Sequence, residues 1–265
     1  MKIKTLLLSG LIAASSLGHC GTMMDNSMLN LWEGFYLGGY LGGGWGKTNM
    51  GMNAGSLSVS PASYFTSQAD INSVNQSGSG NLNQHAFIGG IQAGSNILVK
   101  NYIFGLIVDL GSFHMQDALD AENVPLPANP AINYHLHNSV ETKWLLTARG
   151  NAGVIIHNWI QPYITGGLAV TDLEAHYRYR DSTNVGMFYE AKNGENKAGW
   201  TVGGGFQMPI NPYLLVNAEY LYVAFKPRET YGIVNCANLS CFSMLKASVD
   251  FHANLFKLSM SYRFS

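Results

Sequence analysis

Seven charged side chains occur within stretches that are otherwise apolar, and they are the first candidates for chemistry. Polar amides stand at comparable positions nearby. Charged groups that are buried together are expected to pair, because an isolated buried charge is costly. We therefore interpret the set as a structural, salt-bridged polar core, and the alternative is a narrow, gated path for small solutes. The charged candidates are Asp109, Glu141, Lys143, Arg149, Glu219, Lys257 and Arg263, and the amides are Gln92, Asn151, Gln161, Gln207 and Asn217.

Histidines could serve as metal ligands. His135 and His137 are two residues apart and share one face of an extended chain, and His114 belongs to the same region of the sequence. A dense ligand motif such as H-E-x-x-H is absent from the sequence. We therefore keep these three histidines as weak metal candidates and predict neither a metal nor a cofactor.

A catalytic site has little support in the sequence. There is no G-x-S-x-G nucleophile elbow. His252, with Asp250 two residues before it, could join serines in a triad, since triads follow geometry rather than chain order. The sequence predicts no catalytic residue and no enzyme.

Two cysteines, Cys236 and Cys241, lie close together in the sequence. In an exported chain such a pair indicates a small disulfide-closed loop. The alternatives are two free thiols, or a zinc site that would need further ligands.

The N-terminus has the order of a secretory signal. Lys2 and Lys4 precede an apolar run, and small residues follow it. We predict a signal peptide over residues 1–20, cleaved after Cys20, and a short periplasmic tail over 21–33. A lipoprotein acceptor at Cys20 is disfavoured because His19 is too large for the position before it. Removing the signal takes away two lysines, so the net charge moves from −1 to −3 and gives no indication of nucleic-acid binding.

The elements that must hold these residues are strands. In the last ten residues, aromatic and aliphatic side chains alternate with Lys, Ser and Arg, as on the two faces of a strand. Charged residues make up 12% of the chain, against about 25% in ordinary soluble domains. Beyond the N-terminus no run of about 18 apolar residues could form a membrane helix. Glycines inside the apolar runs also disfavour helices.

Eight such strands follow one another, and long connectors alternate with short ones. This pattern predicts an all-β fold, an eight-stranded antiparallel up-and-down transmembrane β-barrel over 34–265. A soluble barrel or sandwich would instead turn its apolar faces inward. Aromatics near the strand ends are expected at the membrane interface: Trp45, Trp144, Trp159, Trp200, Tyr262 and Phe264. The long extracellular loops are expected at about 47–81, 113–138, 181–196 and 227–247.

Four segments resemble small bacterial outer-membrane β-barrel proteins of the OmpA-barrel, porin-like family. They are Gly34–Tyr40, the pair Gly199–Gly205 and Val216–Tyr222, and the terminal Tyr262-Arg263-Phe264. The resemblance implies a location in the outer membrane, periplasmic termini and recognition of the last strand by the barrel assembly machinery. Ser265 departs from the family pattern, in which the aromatic is usually last.

The family resemblance implies a structural and surface-interaction role, in envelope integrity or in loop-mediated adhesion and recognition. The expected partners are outer-membrane lipid, lipopolysaccharide and a possible host or cell-surface ligand, with no nucleic acid. One alternative is a narrow porin-like channel for small solutes. A second alternative is an outer-membrane lipid-modifying enzyme or protease.

Overall fold

The computed structural model describes residues 31–55, 62–65, 67–156, 159–182, 189–235 and 241–264, and for 62, 189–195 and 235 only the backbone. The predicted signal peptide over 1–20, most of the predicted tail over 21–33, and Cys236 lie outside the described residues.

In the described ranges the chain forms antiparallel strands that pair with their neighbours in sequence, apart from a two-residue strand, Ala62–Ser63, which pairs in parallel with the last strand. The described residues also form a helix, α1, at Gln68–Gly78. The first strand also pairs with the last, so the sheet closes into a ring. Eight strand positions make up the ring, which confirms the predicted barrel. The strands are β1 (Gly34–Gly55), β2 (Ala62–Ser63), β3 (Gly80–Val99), β4 (Tyr102–Leu126), β5 (Asn129–Val154), β6 (Gln161–Asp181), β7 (Tyr189–Asn211), β8 (Leu214–Phe225), β9 (Arg228–Asn235) and β10 (Cys241–Phe264).

Strands β8 and β9 together fill one position of the ring, and the two-residue strand β2 is an addition outside it. Both β8 and β9 pair with β10, β8 with its second half and β9 with its first. The closing pair runs from Phe35 opposite Phe264 to Gly55 opposite Met244 without a register shift. Between the two ends of the membrane zone each strand position pairs on both edges, as a lipid environment requires; beyond that zone, within the described residues, β9 pairs with β10 alone.

The two ends of the barrel differ. At the short-turn end, β3 and β4 are joined by Lys100 and Asn101, and β7 and β8 by Pro212 and Tyr213. The opposite, long-strand end carries α1 and β2. A helix long and apolar enough to cross a membrane is absent from the described part of the chain.

The outward face carries two belts of aromatic side chains. The lower belt, at the short-turn end, includes Tyr102, Tyr213 and Tyr262, and the upper belt includes Trp45 and Trp200. Exposed Leu, Ile, Val and Phe side chains fill the zone between them. About ten residues of a strand tilted by about 40° separate the belts, which gives a height of about 25 Å, the thickness of the apolar band of an outer-membrane barrel.

The strands continue well beyond the upper belt, and we call this part of the barrel the extension. The predicted loop ranges are therefore wrong in their secondary structure. In the first range, 47–81, β1 continues to Gly55 and α1 follows. The second range, 113–138, is a hairpin of β4 and β5 that turns at 127–128. Strands β6 and β7 cover much of 181–196, and β9 and β10 occupy most of 227–247. Their inward residues are apolar and buried, as Met50, Met52 and Ala54 illustrate. The alternation of inward and outward residues in these ranges is hard to recognise in the sequence. The outward residues are small or polar, and register shifts interrupt β4 and β5.

Helix α1 and β2 close the long-strand end. Ser67 caps the helix by accepting a hydrogen bond from the Asp70 amide at 3.1 Å. Ile71 and Val74 are buried against the apolar core of the extension. The Tyr134 hydroxyl contacts two serine hydroxyls of α1 at 2.8 and 2.9 Å. The helix therefore covers the interior as a fixed lid.

Candidate functional site

Four charged side chains meet in the lumen, where each is no more than 3% exposed. Arg149 donates to Glu219 Oε1 from one Nη and to Asp109 Oδ2 from the other, both at 2.6 Å. Lys257 Nζ lies 3.0 Å from Asp109 Oδ1 and 3.8 Å from Glu219 Oε2. The Lys257 contacts are ion pairs rather than well-aligned hydrogen bonds. Two cations and two carboxylates give a formal charge of zero, as a buried cluster needs.

Neutral groups complete the cluster. Thr147 donates to Asp109 Oδ2 at 2.8 Å and accepts from Arg149 Nε at 2.9 Å. Tyr163 donates to Asn217 Oδ1 at 2.7 Å. The ammonium group of Lys257 also lies 4.0 Å from the centre of the Tyr40 ring.

Six strands contribute to this arrangement: β1, β4, β5, β6, β8 and β10. Each side chain points inward because it falls on the lumen face of its strand. A close approach also matters at Gly111, where a Cβ would collide with the Tyr40 hydroxyl and with the Gly89 carbonyl. We define the charge cluster as Asp109, Thr147, Arg149, Glu219 and Lys257.

The lumen is filled below the charge cluster as well. Gln92 donates to the hydroxyls of Ser259 and Ser261 at 3.0 and 2.9 Å. Trp32, which precedes β1, is only 2% exposed and packs with Ile103 at the short-turn end. The predicted amides Asn151, Gln161, Gln207 and Asn217 are also buried in the lumen.

Arg263 is buried at the short-turn end, apart from the charge cluster. Its guanidinium donates to the carbonyls of Pro212 and Glu33 at 2.6 to 2.9 Å. These contacts link the end of β10 to the turn between β7 and β8 and to the residue before β1.

The prediction that Glu141 and Lys143 lie in the lumen is wrong. Their side chains are 27% and 50% exposed on the outward face, where Lys143 Nζ contacts Glu174 at 3.2 Å. The cause is an irregularity between Glu141 and Leu145, which changes the face on which the odd-numbered residues lie. Below it Arg149 points inward, and above it Val140 does. Strict alternation in the sequence assigns Glu141 and Lys143 to the same face as Arg149, because it takes no account of this irregularity.

The three histidines proposed as weak metal candidates are not brought together. His114 Nδ1 lies 3.9 Å from Glu141, whereas His137 contacts Asp120. His135 is opposite Arg180 on β6. Within the described ranges, no group of three or more His, Cys, Asp or Glu side chains could hold a metal ion.

The other predicted positions divide between surface and interior. His252 lies beside the outward-facing ring of Tyr222, with ring centres 6.0 Å apart. Cys241 is disulfide-bonded, but because Cys236 lies outside the described residues, the predicted pairing stays a prediction. Five of the predicted interface aromatics are exposed on the outward face and Trp144 is half-buried; the five are Trp45, Trp159, Trp200, Tyr262 and Phe264.

The predicted lumen residues do not include Tyr40, Thr147, Tyr163 or Trp32, although Thr147 shares a strand face with Arg149 and Tyr163 shares one with Gln161. A signal was present for Tyr40, because it shares a strand face with glycines rather than with the apolar residues. The burial of Trp32 in the lumen could not be predicted, because the residues before it show no alternation typical of a strand.

A family model described as "Outer membrane protein beta-barrel domain" matches residues 30–264. The chain belongs to this outer-membrane β-barrel family. The match agrees with the geometry, since the barrel has an apolar outward band and a polar lumen. It confirms the expected family and the location in the outer membrane.

A curated relative from Brucella melitensis, the "31 kDa outer-membrane immunogenic protein", is 26% identical over 223 residues. The alignment covers 83% of this chain and 84% of the relative. Its name states no enzymatic activity.

Solved structures give a weaker likeness. The attachment invasion locus protein Ail of Yersinia pestis is 11% identical, with a TM-score of 0.35, over 88% of this chain and 99% of Ail. The outer-membrane protein OprG of Pseudomonas aeruginosa is 12% identical, with a TM-score of 0.40, over 88% of this chain and 97% of OprG.

Proposed function

We propose that this outer-membrane protein is a closed barrel with a structural and surface-interaction role. In this proposal the short-turn end faces the periplasm and the long-strand end faces outward, as short periplasmic turns are usual in such barrels. The observation that carries the proposal is the filling of the lumen, because a filled interior supports a rigid scaffold rather than a path for solutes.

Three layers of side chains support closure. Trp32 and Ile103 pack at the short-turn end. The charge cluster spans the middle, held by its 2.6 Å contacts. Above it, the apolar core of the extension includes Phe113, Phe251 and Leu245, each no more than 1% exposed. An eight-stranded barrel has an interior that its own side chains can fill.

The part of the barrel above the upper belt supports the surface role. Among the described residues it carries α1 and the long hairpin of β4 and β5, which present a folded surface. Two large apolar side chains of this part, Tyr231 and Ile233 on β9, are 57% and 54% exposed. Tyr231 and Ile233 are neighbours on one face of β9, and adjoining exposed apolar side chains, unlike single ones, can mark a contact site. We infer that β9 contributes to the contact surface for another cell.

Closure is tested by conductance. The protein, purified from outer membranes in detergent, is inserted into planar lipid bilayers and recorded at the single-channel level. We expect no steady conductance, because each of the three layers blocks ion passage. Stable, reproducible channel openings of the wild-type protein would support the porin-like alternative and contradict the proposal.

The surface role is tested by adhesion of bacteria that display the protein to cultured epithelial cells. We expect adhesion above a strain without the protein, and a loss with Tyr231→Ser combined with Ile233→Ser. Asn53→Ser is the matched control, because Asn53 is an exposed outward residue of the same extension. Equal adhesion of the strains with and without the protein, at equal surface amounts, would refute a role in contact with such cells.

A further inference from the structure

The wall of the extension is interrupted between β7 and β9. In the membrane zone β8 pairs with β7 on one side and with β10 on the other, up to the pairs of Phe225 with Gly199 and of Ala224 with His252. Beyond these pairs the upper part of β7, Tyr189–Ala198, pairs with β6, and β9 pairs with β10. Within the described residues no ladder joins β7 to β9. We call this interruption the seam.

The sequence at the start of β9 explains the seam. Ala224 and Arg228 are four residues apart, whereas their partners on β10, His252 and Val249, are three residues apart. One extra residue in a ladder is a β-bulge, which bends the strand that carries it. Pro227 lies in the bulge and has no N–H to give to a neighbouring strand. Strand β9 therefore leaves the line of β8 and follows β10 instead of β7.

Alternation along the ladder shows which backbone groups of β9 face the seam. The carbonyl of Phe256 on β10 lies against Gly42 of β1. The pairing of β1 with β10 has no register shift, so even-numbered residues of β10 direct their N–H and C=O groups to β1, and odd-numbered residues direct theirs to β8 and β9. The partners of these odd-numbered residues on β9 are even-numbered. The backbone groups of Tyr231 and Ile233 therefore point away from β10, into the seam.

The edge of β9 at the seam is open. Among the described residues, the backbone N–H and C=O groups of Tyr231 and Ile233 have no hydrogen-bond partner. Natural edge strands are protected by charges, proline or bulges, because an open edge pairs with other chains. Pro227 and the bulge protect only the start of β9. Its middle, Tyr231–Val234, contains neither a charged residue nor a proline.

A narrow cleft at the seam leads to the apolar core of the extension. Lys197 of β7 and Thr230 of β9 line its sides, and Leu173, Ala175 and Val249 line its floor. The three floor side chains are buried members of that core. An inward side chain of a strand placed along β9 would meet this floor, and an outward side chain would lie beside the exposed apolar side chains of β9.

We propose that the open edge of β9 binds an extended peptide segment of another polypeptide by strand addition. The backbone identifies the occupant, because a row of N–H and C=O groups at strand spacing is complementary to another strand. The segment carries aromatic or β-branched residues at alternate positions, since such residues pair well with Tyr231 and Ile233 across a ladder. The inference deepens the surface role proposed for β9 and rests on it for the location of β9 outside the cell.

Binding of a fluorescent peptide to the protein in dodecyl maltoside tests the proposal. The parent peptide is Lys-Val-Thr-Tyr-Thr-Ile-Thr-Lys, and the control peptide has the same sequence with N-methyl groups on its four central residues. We expect the control to bind about tenfold more weakly, because several main-chain hydrogen bonds are lost. Amide exchange at Tyr231 and Ile233, but not at Gly232, should slow when the parent peptide binds, because only the first two N–H groups face the seam.

Two substitutions at one position separate the backbone from the side chain. Ile233→Pro removes an N–H that faces the seam and keeps the ladder with β10, and Gly232 before it accommodates the backbone that proline requires. It should weaken binding of the parent peptide about tenfold. Ile233→Thr is the matched control, because it keeps the N–H and the β-branch, and it should bind within about threefold of the wild-type protein. The heat-dependent gel shift of folded barrels checks that both variants are folded.

Several results would overturn the proposal. They are equal binding of the two peptides, equal binding by the wild-type protein and Ile233→Pro, and no binding of the parent peptide. A dimer of the protein that Ile233→Pro dissociates would assign the edge to a second copy of the chain and would overturn it as well. None of these results decides the adhesion test, because Tyr231→Ser with Ile233→Ser changes side chains and keeps the N–H groups of the edge. Adhesion through side chains alone is therefore distinguishable from strand addition.

Discussion

The charge cluster allows a quantitative prediction, made with Arg149→Met. This change removes two guanidinium–carboxylate contacts of 2.6 Å and keeps much of the side-chain volume. Asp109 and Glu219 are then left with Lys257 alone, so the buried cluster carries a net charge of −1. Removing one member of a buried ion-pair group costs about 3–5 kcal/mol. We expect the free energy of unfolding to fall by about this amount.

A charge-balanced variant separates the missing contact from the unpaired charge. Arg149→Met combined with Glu219→Gln leaves Lys257 and Asp109 as one pair at 3.0 Å, with zero net charge. Most of the loss should return, to within about 1–2 kcal/mol of the wild-type protein, because such neighbouring changes are not additive. Lys143→Met is the matched control, since Lys143 is an exposed cation with a carboxylate partner at 3.2 Å, and it should leave the unfolding midpoint unchanged.

The assay is urea unfolding in lipid vesicles, followed by tryptophan fluorescence and checked for reversibility. Two results would refute the reasoning. One is an Arg149→Met midpoint equal to that of Lys143→Met. The other is a charge-balanced variant that is as unstable as the single one, which would mean that the contact itself, and not the uncompensated charge, determines stability.

Three further predictions concern the ends of the barrel. In variants with a single tryptophan, brominated lipid should quench Trp200, which is exposed to lipid, but not Trp32, which is buried in the lumen; quenching of both would contradict the filled short-turn end. Tyr134→Phe should weaken the attachment of α1 by about 1 kcal/mol, measured as faster amide exchange in the helix, because two serine hydroxyls lose their partner. The hydrogen bond from Lys246 holds the pKa of Glu229 below its ordinary value. The support this pair gives β9 should therefore be present above the ordinary carboxyl pKa of about 4.3 and be lost as pH falls through the lower folded value; a carboxyl NMR titration of Glu229 at its ordinary value would refute this.

Much of the fold was accessible from the sequence because it depends on local alternation. The period of two in β10 placed Phe256 and Phe264 outward and Lys257 inward without any knowledge of other strands. Eight such strands with few charges sufficed to predict a closed membrane barrel. The sequence likewise placed Asp109, Arg149 and Glu219 on inward faces.

Only the tertiary structure decided which of these charges meet. Arg149 reaches Asp109 and Glu219 because barrel closure and register bring three strands to one level, and register is a property of strand pairs rather than of one strand. The break between Glu141 and Leu145 moved Glu141 and Lys143 to the outward surface, because an irregularity in pairing reverses the faces beyond it. The length of the extension could not be predicted from the sequence either, because its inward apolar residues form a core only when all eight strand positions surround them.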